Sequence, residues 1–290
     1  MSSDPAVAGA VDRLTDAVLA ALTYEAPAPH AVRFLIRRYV ATGRDDIRDR
    51  LEPALTRALD AWHDAPRDDQ AGWLMLFAES AAVSDDERVR DAALGLFHSL
   101  QAGWGRDRRV AAAAAAVDAC LRVDVPGLPA DGVQRAVDEL ERLVTLTYQP
   151  GEGLTSGGGA PSLADHVRAA SALLTAFERT DRLPYSMLAE ELMQAAARAL
   201  GSADGAGFTD GDSVAKPFAL NCEAASVLCR LAALHASGEY RSAAVVAGGA
   251  DYARDAGRIL RSLAPAAPDL GQAGAVYGLA AADCREPFGK

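Results

Sequence analysis

The sequence predicts an all-α protein, an (α/α)6 toroid of about six helical hairpins closed by pairing of its N- and C-terminal helices. Three observations predict it. The first is composition: of 290 residues half are hydrophobic but only 6% are aromatic, and alanine is abundant. Cores of small side chains suit closely packed helices better than sheets built from β-branched and aromatic residues. The second is a recurring grammar, in which an apolar helix, a tight turn and a more charged amphipathic helix follow one another along the chain. The third is "KPFALNCEAASVLCRLAALHASGEYRSAA" at 216–244, which is apolar almost all round before it stops at Ser237-Gly238-Glu239. A helix with so little polar face belongs where neighbours cover it on both sides.

The elements follow in order. A helix is expected over about 5–23. Hairpins then occupy 30–62, 70–104, a third unit that starts at Arg109 and resumes after "VPGLPADG", 162–200, and a fifth from the 216–244 stretch to about Leu263. A last helix is expected at about 271–282. The turns "TGRDD", "SDDER", "TDRLP" and "SGEYR" resemble one another. Gly43 and Gly238 suit the left-handed end of a helix, and Thr42, Ser84 and Asp181 offer oxygens to cap the next one. "LVTLTY" at 143–148 has some β character but reads as the end of the helix begun at Asp131. The terminal helices, if they pair, supply the sixth hairpin and remove the apolar ends that an open array must cap. The whole of 1–290 is expected to be one toroid domain, with apolar first helices inside and charged second helices outside.

The formal net charge is −11, and the basic clusters Arg37-Arg38 and 106–109 have acidic neighbours. This argues against nucleic-acid binding. No apolar run is long enough for a membrane span and no secretion signal is evident, so a cytoplasmic protein is expected. Four cysteines, Cys120, Cys222, Cys229 and Cys284, lack zinc spacing. Cys222 and Cys229 read as two small core residues on one helix face. No metal and no cofactor is called for. "DDIRD", with Asp45, Asp46 and Asp49, matches an isoprenoid-synthase metal motif literally, but it occupies a turn with sister turns elsewhere and has no second metal motif.

Three stretches carry a family resemblance. "LADHVRAASALLTAFERTDRLPYSMLAEEL", "GAGFTDGD" and the 216–244 stretch resemble the hairpin, loop and inner helix of the helical domain of the thioredoxin-fused spermatogenesis-associated proteins. That domain is a relative of the N-acylglucosamine 2-epimerases and six-hairpin glycosidases. The likeness covers about 160–245; beyond it only the repeat grammar is shared. The thioredoxin domain is absent, the family's "PSGNS" turn keeps only Asn221, and its "DDYA" tyrosine is replaced by His166. The resemblance implies a toroid with a sugar-binding pit and histidines as acid and base.

In a toroid the inner-helix N-termini converge on that pit, where their dipoles favour anions and polar oxygens. The candidate catalytic residues are therefore His166, His30, Asp165 and Glu223, and the candidate substrate-binding residues Trp73, Arg168, Asn221 and Tyr277. Asp165, His166 and Arg168 at one helix start suit sugar proton transfer, although Ser162 and Asp165 there also read as a capping-box variant with His166 exposed. Glu223 is placed either to act as an acid, to pair with an arginine of a neighbouring inner helix or to cap its own helix. Asn221 is placed to bond a neighbouring loop or a substrate, and Trp73 and Tyr277 to line or plug the pit. The loops "GEGLTSGGG" at 151–159 and "TDGDS" at 209–213 are expected to be solvated linkers or covers of the pit. Two classes of function follow: a carbohydrate-active enzyme, either an epimerase or isomerase or a glycosidase-like enzyme, and a non-catalytic scaffold that binds a protein or small ligand. An isoprenoid cyclase is a third.

Overall fold

The computed structural model describes residues 4–105, 109–155, 161–210 and 215–285. Residues 156–159 and 211–213 of the two loops singled out above lie outside that range, as does Arg106. Among the described residues there are thirteen α-helices: α1 (Pro5–Ala21), α2 (Pro29–Thr42), α3 (Asp45–Ala61), α4 (Gln70–Ala81), α5 (Glu87–Ala102), α6 (Val110–Arg122), α7 (Gly132–Thr147), α8 (Leu163–Thr180), α9 (Leu183–Leu200), α10 (Phe218–Ala236), α11 (Gly238–Ala243), α12 (Tyr252–Leu263) and α13 (Ala275–Asp283).

Helices α2, α4, α6, α8, α10 and α13 each pack on the next, and α13 packs back on α2. This closes an inner ring. Their partners α3, α5, α7, α9 and α12 lie outside, and α1 lies outside α13 as the sixth outer helix. The expected toroid and its closure through the chain ends are therefore present. The burial pattern explains the sequence. The most apolar helices, α4, α6, α10 and α13, are in the inner ring, where neighbours cover both flanks. α12 has one apolar stripe, with Ala256, Ile259, Leu260 and Leu263 buried, as an outer helix needs.

Several local expectations need correction. The "SGEYR" restart yields only the six-residue α11; the outer helix that pairs with α10 is α12, after an irregular 244–251. Gly43 does close α2 in the left-handed region (φ 65°), but Gly238 begins a helix, and the other left-handed closure belongs to Asp181 (φ 55°) at the end of α8. Thr42 caps nothing, since its hydroxyl donates to the Arg38 carbonyl (2.7 Å); Asp86 caps α5 in place of Ser84. Tyr148–Gln149 leave the helix and pair antiparallel with Gly153–Leu154, forming β1 and β2 of a short hairpin. Residues 268–274 form a 3-10 stretch interrupted at Gly271 before α13 begins.

Cys229 is bonded to Cys284 in a disulfide between α10 and α13, while Cys120 and Cys222 are free and buried. The reading of Cys229 as a plain core residue is therefore overturned. No helix among the described residues is long and apolar enough to cross a membrane.

Candidate functional site

The inner helices all run in one direction, because an outer helix returns the chain between each inner helix and the next. Their N-termini gather at one end, where the outer-to-inner connections also pass. There a pit of about 640 Å3 opens between the six inner helices. Its wall on α2 runs from Pro29 to Arg37, nine residues of helix, or roughly 12 Å of depth.

The wall is made of stripes. His30, Arg33 and Arg37 come from α2; Asp118 and Arg122 from α6; Arg168 and Ser171 from α8; Glu223, Ser226 and Arg230 from α10; Val276, Leu279 and Asp283 from α13. Residues three or four apart share a helix face, so each inner helix turns one such stripe inward.

At the mouth, Arg168 and Glu223 form a two-point ion pair across α8 and α10 (2.9 and 3.2 Å), each side chain about one-third exposed. Burial works against the Arg168 charge, but the hydrogen bond to Glu223 and its field hold the guanidinium pKa above its ordinary value. Asp64 and Asp69 are exposed and form no ion pair with a described residue, whereas Asp68 is held by Arg109 (2.6 and 2.7 Å). His30 is half-buried and its Nε2 has no hydrogen-bond partner among the described residues. Burial lowers its pKa, against an opposing hydrogen bond with the Gln272 backbone. Trp73 is 6% exposed, lines the pit and stacks on Phe77.

Further down, ion pairs cross between helices. Arg37 of α2 binds Asp283 of α13 (2.7 Å) and Glu79 of α4 (2.8 Å), and Arg33 binds the same Glu79 oxygen (2.6 Å). Burial would raise the Glu79 carboxyl, yet the two arginines bring it down to about 2. Asp118 of α6 takes Arg122 (2.9 Å) and, from α8, Ser171 (2.7 Å) and Thr175 (2.5 Å). Arg230 of α10, 4% exposed, binds Glu178, Ser171 and Thr175 of α8. Burial pushes the Arg230 pKa down, and neighbouring Arg122 adds to that. Each of these pairs joins neighbouring inner helices, so together they brace the deeper wall of the pit. Cys229 and Cys284 immediately adjoin two of its members, Arg230 and Asp283, so the disulfide anchors that wall where α10 meets α13.

The structure thus brings His30, Glu223, Arg168 and Trp73 together at the pit and takes four other candidates elsewhere. His166 is 1% exposed; its Nδ1 donates to the Ser162 carbonyl (2.8 Å) and its Nε2 accepts from the Leu154 amide (3.2 Å), fixing the β-hairpin. Asp165 is 7% exposed and caps the neighbouring inner helix, accepting from Ala111 N at the start of α6 (2.8 Å). Asn221 is fully buried and pairs with the backbone of Phe208 in both directions (2.8 and 2.9 Å). Tyr277 is fully buried and does not line the pit. The reason is helix phase. At 100° per residue, residues two apart lie about 200° apart. Where Arg168 and Glu223 face the pit, His166 and Asn221 must face away.

Gly153 and Gly207 complete those two outward contacts. Both have positive φ (87° and 128°), and a Cβ on either would collide with the His166 imidazole or the Asn221 amide respectively. Asp45, Asp46 and Asp49 lie on outer helix α3 in surface ion pairs with Arg44 and Arg48. Among the described residues no group of His, Cys, Asp and Glu side chains is arranged to hold a metal ion.

The deeper residues Arg37, Asp118, Arg122, Ser171, Ser226, Arg230 and Asp283 were missed by a reading confined to helix starts. Their signal is in the sequence nonetheless: isolated polar residues at three- and four-residue spacing within helices that are otherwise apolar.

No known family profile matches the chain, and no curated protein matches it. Among solved structures, the chain is similar to the GH76A alpha-1,6-mannanase from Salegentibacter sp. HEL1_6, with 12% identity, a TM-score of 0.61, and coverage of 97% of this chain and 99% of that one. An inactive variant of that mannanase in complex with alpha-1,6-mannotriose aligns at 11% identity and a TM-score of 0.40, over 89% of this chain and 70% of the other. Neither comparison supports a place in the spermatogenesis-associated family. What the first likeness does show, across nearly the full length of both chains, is the fold: a closed toroid of helical hairpins.

Proposed function

We propose that the pit binds a saccharide and that the protein hydrolyses a glycosidic bond at its mouth. The observation that carries this reading is the position of two carboxylates. Around the inner ring, α4 and α10 are separated by two helices on either side, so they stand opposite each other. Asp69 adjoins the start of α4 and Glu223 lies near the start of α10, and both line the pit. Glycoside hydrolysis uses two carboxyl groups that flank the scissile bond. Glu223, held by Arg168, is the oriented carboxylate; Asp69, exposed and with no ion pair to a described residue, is placed to exchange a proton with the leaving group or a water. Trp73, on the same helix as Asp69, offers an apolar surface to a sugar ring, as aromatic residues in ligand pockets do. The likeness to a mannanase fold makes α-1,6-linked mannan the first substrate to try. The two-histidine route of an epimerase has less support, since His166 lies outside the pit.

The test is release of reducing ends from a panel of neutral glycans that includes α-1,6-mannan. Turnover is expected, and Glu223→Gln and Asp69→Asn should each reduce it at least a hundredfold with the melting temperature unchanged. A second reading, saccharide binding without turnover, is favoured by one observation: Arg168 engages both oxygens of Glu223. Calorimetric binding without any release of reducing ends would select it. Neither binding nor turnover across the panel would overturn both.

A further inference from the structure

Asp69 sits in a short loop whose neighbouring side chains are spent on anchoring. Arg67–Asp69 form a 3-10 turn that runs directly into α4, and the Asp69 amide donates to the Pro66 carbonyl (2.9 Å). Arg67 reaches back to the end of α5. Its guanidinium lies over Gly103 so closely that a Cβ there would collide with it. Asp68 reaches forward to the start of α6, where Arg109 clasps both of its carboxylate oxygens with two terminal nitrogens (2.6 and 2.7 Å). That start is itself tied to α8, since Asp165 accepts from the Ala111 amide (2.8 Å). On the other side of Asp69, Gln70 accepts from the Ser99 hydroxyl of α5 (3.2 Å). Three of four consecutive polar side chains thus hold the loop to other elements. The fourth, Asp69, lines the pit, makes no capping bond to α4 and forms no ion pair with a described residue.

The exposure of the anchor separates its possible uses. The Arg109 and Asp68 side chains are 60% and 54% exposed, and an ion pair so open to water contributes little to stability. A two-point fork still fixes direction, because both bonds must be made at once. Orientation is therefore what this pair supplies. Holding Asp69 indirectly also suits its proposed task. A guanidinium bonded directly to a carboxylate favours the ionised form, so a carboxyl group that must give up a proton is better fixed through its chain neighbours than by an arginine of its own. Glu223, held directly by Arg168, is the contrasting case across the ring.

Resting on the hydrolytic reading above, we propose that Arg109 is a positioning residue for Asp69, acting through Asp68. The fork, with Arg67 on Gly103 as a second hold, sets the Asp69 carboxylate towards the scissile bond. A misplacement of about 1 Å at a reacting group can cost about a hundredfold in rate.

The experiment has two arms: steady-state hydrolysis of the glycan panel above, α-1,6-mannan first, and hydrogen exchange of residues 67–70 in the intact protein without glycan. Arg109→Ala should lower kcat about tenfold or more, with KM and melting temperature near those of wild type, and should speed exchange across 67–70. Asp68→Asn should do the same, and the double variant should be no worse than either single one, because each removes the same contact. Arg109→Lys keeps the charge but not the fork, so it should stay nearer to the alanine variant than to wild type. Arg109→Ala with wild-type kcat, or with unchanged exchange, would overturn the proposal while leaving the hydrolytic reading intact. Additive losses in the double variant, or a fully active Arg109→Lys, would overturn action through the fork with Asp68. Loss of turnover in Asp68→Asn as complete as in Asp69→Asn would also overturn it, by placing Asp68 itself on the substrate. A wild type that turns over no glycan would overturn the hydrolytic reading, and the exchange arm would still decide whether Arg109 fixes the loop.

Discussion

His30 and His166 both lie near the start of an inner helix, yet one faces the pit and the other is buried behind it. Nearness to a helix start was legible in the sequence; phase was not, because a single helix start does not say which face is inward. Phase emerges only when the polar stripes of several inner helices are aligned, as with His30-Arg33-Arg37 and Glu223-Ser226-Arg230. The structural role of His166 makes a prediction distinct from a catalytic one. His166→Ala leaves the buried Leu154 amide without its acceptor, so it should destabilise the protein by about 1–3 kcal/mol in a denaturant melt. Turnover or binding by the protein that remains folded should be unchanged. Glu79 makes a second prediction at this scale. Its carboxyl lies at about 2 when folded, against an ordinary 4.5. A carboxylate depressed on folding contributes stability that is complete above the unfolded value and is lost as the pH falls towards the folded one. The contribution is on the order of 3 kcal/mol. Wild type should therefore lose stability between about pH 4.5 and 2, and Glu79→Gln, already lacking that contribution, should show a flatter profile across the same window.

Among elements, the hairpins could be read from periodicity and turns, while the links between distant ones could not. The Cys229–Cys284 bond illustrates why. Fifty-five residues separate the two cysteines, and only the closure of the ring, which brings α13 against α10, makes them neighbours. The β-hairpin at 148–154 was hidden for a similar reason. Its residues continue a helical pattern, and the contact that ends the helix, His166 with Leu154, comes from a later element. The disulfide has a measurable consequence. Titration of the unfolded, unreduced chain should find two thiols among its four cysteines. Cys284→Ser should lower stability by about 2–4 kcal/mol. Because Cys284 adjoins Asp283 and Cys229 adjoins Arg230, both of which line the pit, the same substitution should also weaken glycan binding, whereas Cys222→Ser should leave the disulfide's stabilisation intact. Finding four reactive thiols would show that the bond does not form.

At the scale of the whole molecule, the sequence made ring closure legible as a counting argument: five hairpins and one unpaired helix at each end. It did not reveal how the ends meet. Val276 and Leu279 of α13 face the pit. The N-terminal helix packs on the opposite side, where Ala10, Val11, Leu14 and Val18 are buried and α1 contacts both the 268–274 stretch and α13. Leu14 reaches Gly274 so closely that a Cβ there would clash with it, and Asp4 and Arg13 lie near enough to Tyr277 to act on its hydroxyl. The outer face of α13 is therefore covered chiefly by α1, with the 268–274 stretch and α12 beside it, and α13 in turn carries Asp283 into the pit wall. Deleting residues 1–24 would expose Tyr277 and remove four buried aliphatic side chains, Val11, Leu14, Val18 and Leu22. At roughly 1.5–3 kcal/mol for each, the loss is about 6–12 kcal/mol, comparable to the net stability of an ordinary domain. The truncated chain should bind a hydrophobic dye and melt at a much lower temperature or without cooperativity. It should also lose glycan binding even though the disulfide still holds α13 to α10, because a tethered but uncovered α13 no longer fixes Asp283 against Arg37. A truncated protein that melts cooperatively at the parent temperature would mean that the N-terminal helix does not close the ring.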